Sequence, residues 1–325
     1  MRLRTILRSA LAVLLISAKG EYFEKRSSFV SSKGLLDASE EDSFILIVPD
    51  MFDRTYMDTI LAESPETALF LDGFTYYPHV RGCYSSTKES IPAFLSDPEL
   101  MSALEKGGFE TGIYTDSRFI PEILREDSVN VAEGTAHISD IPAFTAVLYR
   151  LAACSYAPDV LRGYVWLYGN EFDELYTAED SRYSVYTISN ISFMDALKQN
   201  GITVSPNNAF RMIHLYGSHY PYVTDENLNP IAPSFSDENA VKASRGVLEI
   251  LYEYISALKR AGIYDKTMIV VMADHGYTVP GEQTDPLLMI RLPGDYMPFS
   301  ISDEEVPQER IPAMLASMVE ECMPG

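Results

Sequence analysis

The chain is poor in basic residues and so lacks the charge pattern of a nucleic-acid-binding protein. Its 325 residues include 25 lysines and arginines against 47 aspartates and glutamates, a formal net charge of −22. A protein that binds a phosphate backbone needs a basic face. The charge balance therefore argues against a nucleic-acid partner, while the acidity by itself indicates no more than solubility.

Cysteine is also scarce, with three residues in the chain, Cys83, Cys154 and Cys322. None stands in a Cys-x-x-Cys or Cys/His spacing, so no cysteine-ligated zinc site is predicted. At most one disulfide can form within the chain, and three ordinary thiols are the favoured interpretation. A Gly-x-Ser-x-Gly segment is absent too, which argues against a serine hydrolase.

The N-terminal apolar stretch is shorter than the roughly 20 residues that a membrane-spanning helix needs. Within residues 1–20, three arginines precede an apolar segment over residues 9–18, and small residues follow. This order is typical of a secretory signal, although an uncleaved anchor, the remnant of a longer membrane region and a basic amphipathic helix remain alternatives. We predict a signal or membrane anchor over residues 1–20 and a polar linker over residues 21–43.

The remaining sequence favours an α/β fold. Hydrophobic residues make up 46% of the chain, enough for a substantial core. Short apolar runs predict buried strands at residues 44–48, 210–216 and 268–272, and helical patterns lie between them, for example at residues 98–106 and 237–260. Strands that alternate with helices indicate a mostly parallel sheet in one domain.

Polar residues stand at the ends of three predicted strands. Asp50 follows the first, His214 and His219 flank the end of the second, and Asp274 and His275 follow the third. Chemistry in open α/β sheets collects beyond the carboxyl ends of the strands. A carboxylate beside an imidazole suits a divalent ion such as zinc or manganese. The alternative is that these strands end in ordinary turns, with an aspartate capping the next helix.

A cluster of hydroxyls, Ser85, Ser86 and Thr87, precedes a short helical pattern that reaches Leu95. Such residues commonly cap a helix. They also stand where exposed N–H groups favour an anion. A metal-bound hydroxyl at this place would lose its proton readily and attack phosphorus.

Four segments in order give the chain a family resemblance. They are Ile-Leu-Ile-Val-Pro-Asp at 45–50, Thr-Lys-Glu-Ser-Ile-Pro at 87–92, His-Leu-Tyr-Gly-Ser-His at 214–219 and Val-Met-Ala-Asp-His-Gly at 271–276. The chain resembles the alkaline phosphatase/sulfatase superfamily, and most closely its lipoteichoic acid synthase and phosphoethanolamine transferase branch. The resemblance implies an alkaline phosphatase-like three-layer sandwich, in which helices flank a mostly parallel central sheet, as a sulfatase-like catalytic domain over residues 44–325.

The resemblance also implies the metal ligands and the nucleophile. Asp50, Thr87, Asp274 and His275 match the ligands of one divalent metal ion, zinc or manganese. Thr87 matches the nucleophile, because it stands five residues before Pro92 as the transferases' threonine stands before its proline. Relatives often carry a histidine downstream of the Asp-His pair, and this chain has none there. We therefore expect one tightly held ion.

Three further residues are expected at the substrate. His219 matches a histidine that contacts the substrate phosphate or a second metal, and we expect it to protonate the leaving group. His214 matches a further histidine of the transferases, for which we expect a substrate contact. Lys88 and the helix N-terminus would steady the phosphoryl oxygens, although a lysine there is more often a solvated surface charge.

The implied function is a metal-dependent phosphoryl-group transferase or hydrolase with a threonine nucleophile. Its substrate would be a phospholipid or envelope-polymer phosphoester, of the phosphoglycerol or phosphoethanolamine transfer type. The protein would act outside the cytoplasm, secreted or held at the membrane by its N-terminal segment. Alternatives are a broad phosphatase or phosphodiesterase, a sulfuric ester hydrolase, and a catalytically inactive extracytoplasmic binding domain.

One motif argues against sulfate ester hydrolysis by a modified cysteine. That chemistry requires Cys-x-Pro-x-Arg, and Cys83 is followed by Ser85 and Thr87 at the proline and arginine positions.

Overall fold

The computed structural model describes residues 25–138, 140–158, 176–178, 183–184, 188–277 and 285–323. The expected signal or anchor segment, residues 1–20, lies outside these ranges. The chain divides into two compact units, residues 1–32 with 131–186 and residues 33–130 with 187–325. Within the first unit, residues 131–138 and 183–184 pair with residues 25–31.

The described strands are numbered in chain order. They are β1 (Lys25–Ser31), β2 (Asp37–Ser39), β3 (Ser43–Pro49), β4 (Phe74–Tyr76), β5 (Val80–Arg81), β6 (Glu110–Tyr114), β7 (Val131–Ile138), β8 (Tyr176–Ala178), β9 (Tyr183–Ser184), β10 (Thr203–Ser205), β11 (Ala209–Leu215), β12 (Tyr222–Thr224), β13 (Pro230–Ser234), β14 (Thr267–Met272), β15 (Leu288–Arg291), β16 (Ser300–Ile301) and β17 (Val306–Pro307).

The described α-helices are numbered in the same way. They are α1 (Arg54–Glu63), α2 (Thr87–Leu95), α3 (Pro98–Lys106), α4 (Glu122–Arg125), α5 (Ile141–Tyr156), α6 (Asn190–Asn200), α7 (Asp237–Ala261) and α8 (Ile311–Cys322). Short 3-10 helices span Pro65–Phe70, Ser117–Phe119, Tyr264–Lys266 and Gln308–Arg310. No helix of the described residues is long and apolar enough to cross a membrane.

The expected linker at residues 21–43 contains two strands. β1 pairs antiparallel with β7 and belongs to the four-stranded sheet β8-β7-β1-β9. β2 pairs in parallel with β10. Both partner strands lie more than ninety residues later in the chain, so the local polarity of residues 21–43 gives no sign of this pairing.

The central sheet of the larger unit has seven strands in the order β16-β4-β15-β14-β3-β11-β6. Strands β14, β3, β11 and β6 are parallel neighbours. Strand β15 is antiparallel to both its neighbours, β14 and β4. A mostly parallel sheet flanked by helices confirms the predicted α/β fold class.

Helices cover both faces of this sheet. Ile47 of β3 and Val271 of β14 belong to a core cluster that includes residues of α1, α6 and α7. Met272, whose side chain points to the other face, lies beside Ile91 of α2 and Pro312 of α8. Every residue of β3, β11 and β14 is buried, as expected for parallel strands between helical layers.

The strand register brings three strand ends to one level. His214 of β11 lies opposite Val48 of β3. Val271 of β14 lies opposite Ile47 of the same strand. The first residues after β3 and β14 and the last residues of β11 therefore meet at one edge of the sheet.

Candidate functional site

Three acidic or imidazole side chains converge at this edge. Asp50 follows β3, His214 is the next-to-last residue of β11, and Asp274 lies just beyond β14. Each offers a ligand atom, and the three atoms lie within 4.8 Å of one another. The His214 Nε2 to Asp50 Oδ2 distance is 3.7 Å. The order of the sheet thus gathers residues that are far apart in the sequence.

His275 completes the cluster. Its Nε2 lies 3.6 Å from Asp50 Oδ1 and 3.6 Å from Asp274 Oδ2. Both distances are too long for a hydrogen bond. They are close to the roughly 3.4 Å expected between ligands about 2.1 Å from a tetrahedral ion.

The buried polar atoms of the cluster have no hydrogen-bond partner among the described residues. These atoms are Asp50 Oδ1, His214 Nε2 and Asp274 Oδ2. A buried polar atom without a partner is costly and calls for an explanation such as a bound ion. Two carboxylates and two imidazoles are a donor set that fits a divalent cation such as zinc or manganese.

Burial and charge shift the pKa values of this cluster. The pKa of Asp50 is raised, first by burial and then by the Asp274 carboxylate, while a hydrogen bond from Thr87 lowers it. Burial lowers the pKa of His214 and so favours the neutral imidazole that binds metals.

Neighbouring groups orient both imidazoles. His275 Nδ1 donates to the Gly276 carbonyl at 2.8 Å, so its lone pair is on Nε2, which faces the carboxylates. His214 Nδ1 shares a hydrogen bond of 2.8 Å with the Thr115 hydroxyl. Such partners fix the ring orientation of metal-binding histidines.

The backbone orients the Asp274 carboxylate. Its Oδ1 accepts from the Met51 amide at 3.2 Å and the His275 amide at 2.9 Å. Met51 has a φ of 57°, a left-handed conformation that is costly for a non-glycine residue. With Oδ1 occupied by these amides, Oδ2 is the oxygen directed at the cluster.

Thr87 lies at the same place. It is the first residue of α2, after Ser86 in the N-cap position, and its side chain is close enough to the Asp50 carboxylate to lower the pKa of Asp50. The structure therefore brings together all four residues expected around the ion, Asp50, Thr87, Asp274 and His275. Asp50 does not cap the following helix, because Asp53 accepts the Thr55 amide as the N-cap of α1.

The segment after β11 packs closely on Asp50. Gly217 has a φ of 64°, and a Cβ there would lie 2.3 Å from the Asp50 amide nitrogen. The Asn190 side chain fixes Gly217 by donating to its carbonyl at 2.8 Å and accepting from its amide at 2.9 Å. Ser218 in turn donates its amide to the Asp50 carbonyl at 2.9 Å.

His219 lies at the edge of the cluster and is partly exposed. Its Nδ1 donates to the Tyr220 carbonyl. The pKa of His219 is lowered mainly by burial, and His275 and Asp274 are close enough to influence it. His219 is thus placed to meet a molecule that enters from solvent.

Exposed aromatic rings continue outward from His219. Its ring stacks on Tyr220 with centroids 5.1 Å apart. Tyr220 lies 6.2 Å from both Phe235 and Tyr277. Lys88 is exposed in the first turn of α2.

Sequence reasoning missed several residues that shape the site. We expected His214 at the substrate, and its Nε2 lies near the Asp50 and Asp274 oxygen atoms, in a group that could hold a metal ion. The sequence feature that could have identified His214 is its position as a histidine in the otherwise apolar end of a buried strand. Thr115, Asn190 and Gln308 were missed because their contacts depend on tertiary structure. The three cysteines are all free, as favoured.

Comparison with known proteins identifies one family. A family model described as Sulfatase matches residues 43–293, more than half of the chain. A search of curated proteins finds no match.

Solved structures show a related fold at low sequence identity. A Bacteroides thetaiotaomicron protein from work on the metabolism of multiple glycosaminoglycans is 15% identical, with a TM-score of 0.50, and the match covers 87% of this chain and 74% of that chain. The soluble domain of lipooligosaccharide phosphoethanolamine transferase A from Neisseria meningitidis is 14% identical, with a TM-score of 0.47, over 87% and 88% of the two chains. Phosphonate monoester hydrolase from Silicibacter pomeroyi is 14% identical, with a TM-score of 0.47, over 86% and 73%.

Proposed function

The chain belongs to the sulfatase family, and from this premise we propose that it is a metal-dependent phosphoryl-group transferase or hydrolase with Thr87 as its nucleophile. One observation supports this most strongly. The Thr87 side chain lies close enough to Asp50 to lower the pKa of that carboxyl, and Asp50 lies in a cluster whose three buried ligand atoms have no partner among the described residues.

We propose that Asp50, Asp274, His275 and the Thr87 hydroxyl hold one zinc or manganese ion, with His214 Nε2 within the same cluster. Such an ion lowers the pKa of a bound hydroxyl and offsets negative charge on phosphoryl oxygens. Asp50 accepts the Thr87 hydrogen bond and so orients the hydroxyl oxygen.

In the first half-reaction Thr87, whose hydroxyl proton has passed to solvent, attacks phosphorus through Oγ as the alkoxide. The bond from phosphorus to the leaving alcohol breaks, the alcohol takes a proton from the His219 imidazolium, and His219 is left neutral. The product is a covalent phosphothreonine. The N-terminus of α2, with Lys88, steadies the phosphoryl oxygens through exposed N–H groups and positive charge.

The second half-reaction releases Thr87. Water or a second alcohol attacks the phosphothreonine, gives its proton to His219 and leaves with the phosphoryl group. Water gives hydrolysis and an alcohol gives transfer, so both reactions use the same residues.

We propose a lipid- or envelope-linked phosphoester as the substrate, of the phosphoglycerol or phosphoethanolamine type. The support is the resemblance of four segments to the transferase branch and the N-terminal segment expected to direct the chain out of the cytoplasm. Cys83 lacks the following proline and arginine of the Cys-x-Pro-x-Arg motif, which favours phosphoesters over sulfate esters hydrolysed by a modified cysteine. The rings of Tyr220, Phe235 and Tyr277 offer a surface for the organic part of the substrate.

Metal content and turnover test this proposal. The full chain is assayed with chromogenic phosphomonoester, phosphodiester and sulfate ester, for wild type, Thr87→Ala and Thr87→Ser. We expect bound zinc or manganese, phosphoester turnover in the wild type, at least about a 10³-fold loss in Thr87→Ala and partial activity in Thr87→Ser. A wild-type protein that binds no metal and turns over no ester would instead support the inactive binding domain.

A further inference from the structure

Gln308 joins two parts of the site from outside the region that the family model matches. Its side chain is only 4% exposed. Its Nε2 donates to the Asp274 carbonyl at 2.7 Å. Its Oε1 accepts from the amides of Cys83 at 3.0 Å and Tyr84 at 3.4 Å. One side-chain amide thus bonds both the strand end that carries Asp274 and the loop that leads to Thr87.

A small strand pair delivers Gln308 to this position. Strand β17 pairs in parallel with β5, with Val306 opposite Val80 and Pro307 opposite Arg81. Gln308 follows β17 directly, and the segment from Cys83 to Thr87 follows β5. Both segments therefore leave the same short ladder side by side.

The contact between α2 and the end of β14 is incompletely packed. A cavity lies between them, lined by Ser90, Ile91 and Phe94 of α2 and by Met272 and Asp274. Ser90 Oγ is buried there without a hydrogen-bond partner among the described residues. Gln308 also lines this cavity, and its hydrogen bonds connect the two segments beside it.

We propose that Gln308 is a positioning residue, which sets the placement of the Thr87 loop relative to Asp274 and His275. This inference rests on the proposed function, since it assigns Gln308 to the same site. If these hydrogen bonds are lost, the Thr87 hydroxyl oxygen and the Asp274 carboxylate no longer keep a fixed distance and orientation relative to each other. Both the rate of the chemical step and the metal affinity then fall, because mutating residues that hydrogen-bond metal ligands commonly lowers the affinity 10- to 100-fold.

Gln308→Met and Asn208→Leu form a matched pair of variants. Methionine has nearly the volume of glutamine but makes none of its amide hydrogen bonds. Asn208 also bridges two loops, since its Nδ2 donates to the Gly107 carbonyl at 2.9 Å and its Oδ1 accepts from the Asp42 amide at 3.2 Å. Asn208 lies just before the first residue of β11, at the opposite end of the strands from the site. Loss of its hydrogen bonds therefore affects stability alone.

Three properties of the full chain are measured in each variant. They are kcat and KM for a chromogenic phosphodiester, the Kd for zinc or manganese by calorimetry on metal-stripped protein, and the melting temperature. For Gln308→Met we expect kcat to fall roughly 10- to 100-fold, the metal Kd to rise at least about 10-fold, and KM to change little. For Asn208→Leu we expect a lower melting temperature with kcat and Kd unchanged.

Gln308→Glu provides a second variant in case Gln308→Met does not fold. Glutamate keeps an acceptor for the Cys83 and Tyr84 amides but, when ionised, cannot donate to the Asp274 carbonyl. We expect the same loss of kcat and metal affinity, because the link needs both ends.

A purely stabilising role would overturn the inference. In that case the Gln308 variants would lower the melting temperature as Asn208→Leu does, with kcat and metal Kd equal to wild type. This outcome leaves the proposed function standing. A wild type that neither binds the metal ions nor turns over the ester would overturn the proposed function, and with it the role of Gln308.

Discussion

Two polar residues, Arg211 within β11 and Asp50 just after the neighbouring strand β3, show what distinguishes the site. Arg211 is fully buried, and its guanidinium donates to the carbonyls of Gly34 and Glu110 and to the Glu110 carboxylate. This satisfies the usual rule for buried polar groups. Asp50 departs from it, because its buried Oδ1 has no partner among the described residues, and its pKa is raised by burial and by a second carboxylate, Asp274. Such an arrangement destabilises the metal-free fold and favours cation binding.

Replacing one of these carboxylates tests that idea. In Asp274→Asn, Oδ1 can still accept the Met51 and His275 amides, but the negative charge beside Asp50 is gone. Without metal, we expect the melting temperature of the variant to equal or exceed that of wild type, with a rise of roughly 2–4 °C for each kcal/mol of repulsion relieved. We also expect added metal to stabilise the variant no longer. Calorimetric melting with and without zinc or manganese measures both. A variant that melts lower without metal and still binds the ion contradicts the account.

His219 carries a prediction about the leaving group. If His219 supplies the proton, its contribution to the rate is larger for an alcohol of high pKa, which leaves poorly without protonation, than for one of low pKa. We expect His219→Asn to slow an alkyl phosphodiester about 10²- to 10⁴-fold and a p-nitrophenyl ester far less. Equal losses on both esters would show that His219 acts by binding rather than by proton transfer. The measurement is kcat on the paired substrates under saturating conditions.

At the scale of elements, the site depends on strand ends held in place by loops. Strands β3, β11 and β14 bring Asp50, His214 and Asp274 to one edge, and the following turns bring in the other groups. Gly217 is the closest of these contacts, because its α-carbon faces the Asp50 backbone with no room for a side chain. The loop after β11 therefore fixes where Asp50 stands.

Gly217→Ala should displace Asp50. A Cβ would lie 2.3 Å from the Asp50 nitrogen and 2.5 Å from its carbonyl oxygen, which are backbone atoms that cannot rotate away. Gly108→Ala is the control, since Gly108 has a similar φ of 65° and open space around it. We expect Gly108→Ala to lose about 1 kcal/mol of stability with normal activity. Gly217→Ala should lose more stability together with metal binding and turnover.

If the two alanine variants lose the same stability and both keep metal binding and turnover, glycine is required at position 217 only for its backbone conformation. Denaturant unfolding and metal titration of both proteins distinguish these cases.

The elements themselves were largely predictable from local sequence. The helix at residues 98–106 has the predicted bounds, since Asp97 caps it. Asp50, Thr87 and the Asp274–His275 pair stand in motifs that can be recognised along the chain. The contacts of Asn190 and Gln308 were not predictable, because their partners are distant in sequence, and the antiparallel direction of β15 was not predictable because it depends on the strand order of the whole sheet.

At the scale of the whole molecule, the division into two units escaped sequence analysis. Residues 131–186 lie within the span that the family model matches, yet β7 pairs with β1 from the expected linker. No feature of the local sequence indicates that the chain leaves the larger unit after Asn130 and returns to it near Thr187. Fold class was predictable because it follows from the alternation of strands and helices.

Net charge makes a prediction about the molecule as a whole. With a formal charge of −22, the protein repels an anionic phosphoester at long range. Salt screens this repulsion, with a Debye length that falls from about 30 Å at 0.01 M to about 8 Å at 0.15 M. We expect kcat/KM for a singly anionic diester to rise severalfold over this range. A zwitterionic phosphoethanolamine ester is the control and should change less; a fall for the anionic ester would contradict the expectation.

The most direct test of the central claim is the detection of phosphate on Thr87. The metal-loaded full chain is mixed with a chromogenic phosphodiester, quenched in acid during turnover, digested and mapped by mass spectrometry. We predict a phosphorylated peptide with the modification on Thr87 in the wild type, and none in Thr87→Ala. Turnover by the wild type with the phosphoryl group on another residue, or an unimpaired Thr87→Ala variant, would contradict the account.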